Sequence, residues 1–153
     1  MDADYSLVDK AFCDCVASGQ HKRWPFAKLK PGKVLCDVWH AKGLIGNGGF
    51  HCLIGSLGKR QVRQLIQAHE YIGLPETGKL VEEAYTLFND AKRSVADPAD
   101  VDAIRQRCEP RMTEIERDYY GSESELISAA AQYVRENRSS FSSLPNQKSD
   151  YSV

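Results

Sequence analysis

The stretch Gly58-Lys-Arg-Gln-Val-Arg-Gln-Leu-Ile-Gln-Ala-His-Glu-Tyr-Ile-Gly73 decides the fold class. Within it Val62, Leu65, Ile66, His69 and Ile72 step by three and four, the period of a helix with one buried face. Gly73 supplies the stop. The same period recurs on both sides. Upstream, Leu7, Val8, Ala11, Phe12 and Cys15 predict a helix over 4–18, ended by Gly19. Val34, Leu35, Val38 and Trp39 predict a second helix from about Pro31 to about Leu44. Gly46-Asn-Gly-Gly49 then breaks the chain, and a short helix runs from Gly49 to about Leu57.

Downstream, Pro75 fits the first turn of a helix that carries Leu80, Ala84, Leu87, Phe88 and Ala91 on one face. Asp97-Pro98 reads as a start signal, with Asp as N-cap and Pro at the first helical position. Val101, Ile104, Cys108, Ile115 and Tyr119 mark a long amphipathic run, which Pro110 should kink or split. Ser122-Glu-Ser-Glu125 has the capping-box pattern and opens a last helix, buried through Leu126, Ile127, Ala130, Tyr133 and Val134. Val34-Leu-Cys-Asp-Val-Trp39 comes nearest to a buried strand. The expectation is an all-α fold, a multi-helix orthogonal bundle formed as a single domain over 1–141, followed by a mobile polar tail over 142–153.

The 153 residues suffice for one core without covalent staples. Twenty basic and 21 acidic residues nearly cancel, so no strong global field draws the chain to nucleic acid or to an anionic membrane. The acidic, polar start is unlike a secretion signal, and no run of apolar residues is long enough to span a bilayer. Cys13, Cys15, Cys36, Cys52 and Cys108 are odd in number and irregular in spacing, which reads as free thiols in a reducing cytoplasm.

Candidate chemistry is sparse. On a helix Cys13 and Cys15 stand about 200° apart, too far to grip one ion. His69-Glu70 begins like a zinc-protease motif, but Gly73 stands where the second histidine is needed, and His69 lies on the apolar stripe. Ile54-Gly-Ser-Leu-Gly58 lacks the first glycine of a nucleophile elbow, so Ser56 reads as a cap or turn residue. Cys52 beside His51 is the one local hint of a reactive thiol. The segment from Val16 to Cys36 has five Lys or Arg and no acid, with Trp24 and Phe26 interleaved. Basic residues with aromatics can hold single-stranded nucleic acid, but without a motif the plainer reading is a solvated loop at 22–33 anchored by its two rings. Gly46-Asn-Gly-Gly49 lacks the Lys-Ser/Thr of a phosphate loop; its glycines suit a tight corner, with Asn47 accepting hydrogen bonds from exposed backbone donors.

At Asn47-Gly-Gly-Phe50 the chain resembles the DNA-mimic-protein family, small helical bacterial domains mostly of unassigned function. The resemblance runs on through Ser56-Leu-Gly58, Ala68-His-Glu-Tyr-Ile-Gly73, Phe88, Asp118-Tyr-Tyr120 and Tyr133-Val-Arg-Glu-Asn137, and covers roughly residues 31–141. In the family an acidic residue and a second asparagine often precede the motif and aromatics follow it; here Gly46 precedes Asn47, and His51-Cys-Leu-Ile54 follows Phe50. The resemblance implies a helical fold, a bacterial cytoplasmic setting, and a motif at Asn47, Gly48, Gly49 and Phe50. The family's named activity is imitation of DNA, which needs carboxylates in excess to match a duplex with one negative charge per about 1.7 Å. A net charge of −1 does not provide it. Asp97, Asp100, Asp102, Glu114, Glu116 and Asp118 are the place to look for a local acidic surface. Pairs four apart, Lys79 with Glu83 and Arg105 with Glu109, are expected to neutralise much of it.

These readings point to a cytoplasmic protein-interaction domain, leaning away from an enzyme, with no cofactor and no metal. The expected partner is another protein, a homodimer being one form of this, with no membrane and no direct nucleic-acid contact. Two alternatives stay open. One is a small enzyme with a cleft near the glycine corner, faced by His51, Cys52 and His40. The other is an immunity-type inhibitor of a toxin.

Overall fold

A computed structural model describes residues 2–19 and 30–141. The expected tail at 142–153 and most of the basic loop, with Trp24 and Phe26, lie outside the described residues. Seven α-helices are found, and no strand among the described residues: α1 (Ala3–Ala17), α2 (Pro31–Gly55), α3 (Lys59–Tyr71), α4 (Pro75–Ser94), α5 (Val101–Cys108), α6 (Arg111–Gly121) and α7 (Glu123–Glu136), then a 3-10 turn over Arg138–Ser140. The fold is an all-α bundle. No described helix is long and apolar enough to cross a membrane.

Helix α2 is the spine. Its first half buries Val34, Leu35 and Cys36 in succession, then Val38, Trp39, Ala41 and Ile45. A helix apolar around most of its circumference has to be surrounded. Accordingly α1, α3, α4, α6 and α7 all pack against it. The near-strand run at 34–39 is thus helix, its continuous hydrophobicity explained by burial on several sides. Beyond Trp39 one stripe opens to solvent through His40, Gly43 and Gly46.

The flanking helices are simpler amphipathic elements. Helix α3 buries Val62, Leu65, Ala68 and His69, and Ile72 caps it. Helix α4 starts at Pro75 and turns Gly78 toward α3, where a Cβ would lie 3.2 Å from the Ile66 carbonyl oxygen. The missing side chain sets the closeness of this pair. Pro110 splits the long amphipathic run into α5 and α6, because proline offers no N–H to a continuing helix. Helix α1 joins α7 through the Arg135–Asp4 ion pair and joins α2 through Trp39, whose Nε1–H donates to Asp9 Oδ1 at 3.2 Å. Lys42 lies over the rings of Tyr5 and Trp39, 5.6 and 5.3 Å from their centroids, and reaches Glu123 of α7 at 3.0 Å.

Two start signals are used differently from expectation. Asp97 closes a turn, accepting the Ala99 N–H at 2.9 Å, and the helix begins later, at Val101, capped by Asp100 through the Ala103 N–H. Two Asp-x-x sites compete there, and the one next to the first apolar residue wins. Ser122 makes no capping box; its hydroxyl donates back to the Tyr119 carbonyl at 2.8 Å, because only that residue separates α6 from α7 and its backbone is still near-helical.

His69 is fully buried, its Nδ1 within 2.8 Å of the Leu65 carbonyl oxygen and its Nε2 without a partner among the described residues. Burial pushes the imidazole down to about 4, the backbone contact opposing weakly. The unfolded chain therefore binds the proton first as pH falls. The stability that depends on neutral His69 is complete above the ordinary value of 6.5 and is lost on acidification toward 4. Comparing wild type with His69→Gln by urea unfolding, the wild type should lose roughly 2 kcal/mol more between pH 7 and pH 4.5. Parallel pH profiles would contradict the assignment.

A cleft at the corner of helix α2

The helix bends where its backbone leaves helical geometry. Gly48 (φ −150°, ψ 18°) and Gly49 (φ 70°, ψ −171°) leave the helical region, and the helix resumes at Phe50. In an unbroken helix the Ile45 carbonyl would accept from Gly49 and the Phe50 N–H would donate to Gly46. Here both groups turn to α6. The Phe50 N–H donates to Glu116 Oε1 at 3.0 Å, and the Tyr120 hydroxyl donates to the Ile45 carbonyl at 2.9 Å. Glu116 and Tyr120 are one turn apart on the same helix face.

Two further facts fix the corner. A Cβ on Gly49 would lie 2.3 Å from Glu116 Oε1, so the carboxylate fills the space of the absent side chain. The positive φ adds a second reason for glycine. Phe50 is fully buried and meets Tyr119 edge-to-face at 5.5 Å. Asn47, expected to accept backbone donors at the corner, is exposed instead. Glu116, distant in sequence, performs that task because it approaches the freed N–H from the side of the core.

Outside this clamp lies an open cleft of about 300 Å³. Its floor is the chain from Ile45 to Gly49, where three glycines leave the backbone bare. Arg105 and Glu109 come from the end of α5, Glu116 and Tyr120 from α6, and His51 from the resumed helix. Both ring nitrogens of His51 are buried without a partner among the described residues, and the ring stands 6.0 Å from that of Phe88. Burial holds the imidazole below its ordinary value, helped by Arg105 and opposed by Glu116 and Glu109.

Of the site residues read from the sequence, Asn47, Gly48 and Gly49 line this cleft, while Phe50 turns into the core beneath it. Of the trio His51, Cys52 and His40, only His51 lines it. Cys52 packs under Gly48, where an added Cβ would stand 2.8 Å from the cysteine Cβ. His40 lies on the open stripe of α2, between two other hollows of about 260 and 290 Å³. All five cysteines are free thiols. Among the described residues no three His, Cys, Asp or Glu side chains gather as a metal site. Sequence reading overlooked Arg105, Glu109, Glu116 and Tyr120 as a group. Only the Glu116–Tyr120 spacing hinted at it, since an acid and a tyrosine four apart share one helical face.

These features define an all-α domain hung on a bent central helix, with a polar cleft at the bend. A family model described as DMP19-like protein, DMP19 standing for DNA mimic protein 19, matches residues 28–137. The chain belongs to the DMP19-like protein family. The match spans α2 to α7 and begins and ends slightly earlier than the resemblance read from the motifs. No curated protein and no solved structure matches the chain.

Gly49→Ala should destabilise the fold by well over the ~1 kcal/mol that separates alanine from glycine in an ordinary helix. Gly46→Ala, where an added Cβ meets nothing within 4 Å, serves as the control and should be neutral or stabilising. Glu116→Ala should cost about 1–3 kcal/mol by stranding the Phe50 N–H. Equal effects of the two glycine substitutions in thermal or urea unfolding would rule out this account of the corner.

Proposed function

We infer that the chain is a protein-interaction domain that meets its partner at the glycine corner and does not imitate a DNA duplex. The observation that carries this reading is the make-up of the cleft. It is open, polar and set on bare backbone, and it holds two carboxylates against one guanidinium. Its lining has no serine, threonine or cysteine to serve as a nucleophile. His51 has no hydrogen bond to fix its tautomer, and Glu116 and Tyr120 are engaged in holding the corner. Catalysis needs oriented acid and base groups, whereas binding needs only a complementary surface. An immunity-type inhibitor is one form of this reading, and five free thiols suit a cytoplasmic setting.

The disposition of charge argues against mimicry. A duplex mimic presents unpaired carboxylates at phosphate spacing. Here Asp4, Asp37, Glu76, Glu83, Asp90, Glu114 and Glu123 each face a lysine or arginine. Lys79 pairs with Glu76 rather than Glu83, which Arg111 takes together with Glu114. Asp97 and Asp100 close turns and caps, Glu109 accepts from the Thr113 hydroxyl, and Glu116 faces the corner. Of the six acids named for an acidic surface, all but Glu116 are exposed, and Arg105, Arg107 and Arg117 stand on the same two helices as Asp102, Glu114 and Asp118.

Two measurements test the reading. Added at low salt to DNA-binding proteins of its host held on labelled DNA, the protein should leave the DNA bound. Displacement that vanishes when Asp97, Asp100, Asp102, Glu114 and Asp118 are neutralised would establish mimicry instead. In capture from host extract, a stoichiometric protein retained by wild type should be lost with Asn47→Trp, which blocks the cleft mouth. Capture unchanged by that substitution would move the contact away from the corner.

A further inference from the structure

We propose that the corner cleft is a receptor for a single guanidinium group, an arginine side chain of the protein partner. This rests on the interaction reading above and names the chemistry that the site selects. Its first support is charge. Glu109 and Glu116 outweigh Arg105, and His51 adds no positive charge near neutral pH because burial holds it unprotonated. The cleft therefore carries a net negative lining.

The second support is the hydrogen-bonding need of the walls. Glu116 commits Oε1 to the Phe50 N–H, which leaves Oε2 able to accept. A guanidinium brings five N–H donors in one plane, a fork that matches a carboxylate, whereas an ammonium offers three from a point. The third support is shape. Tyr120 is 46% exposed while its hydroxyl is held by Ile45, which fixes the ring at the edge of the cleft as a surface for a planar cation. The glycine floor lets such a group lie close to the backbone.

Arg105 gives the proposal its sign. A cationic guest is repelled by Arg105 and attracted by Glu109, and neither residue takes part in the clamp that holds the corner. Blocked arginine amide, titrated into the labelled protein and followed by the amide resonances of Gly48, Gly49 and His51, should give saturable shifts confined to the cleft. Glu109→Gln should weaken binding about tenfold. Arg105→Gln should strengthen it about two- to threefold. Blocked lysine amide should bind more weakly, and inorganic phosphate should produce no saturable shift at these residues. Stronger binding by Glu109→Gln or weaker binding by Arg105→Gln, saturation by phosphate, lysine binding as tightly as arginine, or arginine shifts spread over the surface would each overturn the proposal. If arginine binds as described while Asn47→Trp leaves partner capture intact, the receptor stands and the interaction reading falls. If capture is lost but arginine does not saturate, the reverse holds.

Discussion

Two hydrogen bonds between the bend of α2 and helix α6 hold this structure in shape. At the bend in α2 the Phe50 N–H donates to Glu116, and the Ile45 carbonyl accepts from Tyr120. A buried backbone group left unpaired costs about as much as a lost hydrogen bond, so the bend exists only with α6 in place. With it, one element changes direction inside the core and can touch five others. Phe50 enters the core at that point, and the bare floor of the cleft faces outward on the other side. Corner and cleft are two faces of one arrangement.

The same economy governs charge. Carboxylates in this chain serve as caps, ion-pair partners and, at Glu116, as a substitute for a backbone carbonyl. A family whose name denotes DNA mimicry is represented here by a sequence of net charge −1. What the bend requires is one carboxylate at one depth, which is independent of the charge of the surface.

Much of the fold was legible in the sequence, for reasons tied to local physics. Helical period exposed α3, proline marked the start of α4 and the split between α5 and α6, and the glycines at 48 and 49 announced the break in α2. The errors fell where two local signals competed. Asp97 and Asp100 both offer a cap, and Ser122 had to serve a helix end and a helix start at once. The site was less legible. Asn47 is adjacent to the corner and was the natural candidate for its hydrogen bonds, but the acceptor and donor used come from 66 and 75 residues away. No pattern within one helix says which distant helix will arrive. Helical period shows which face of α6 points inward, but not what it meets there.

Consider the space where Gly49 lacks a side chain and Glu116 places its carboxylate. It joins two short rulers: the step from Ile45 to Phe50 and the step from Glu116 to Tyr120. Adding or deleting one residue inside either ruler rotates one member of the clamp by about 100° and separates it from its mate. The intervening chain carries no such requirement from the clamp. The connections between α3, α4 and α5 are therefore free to lengthen or shorten in evolution, while the two rulers keep their spacing and residues 49 and 116 can change only together.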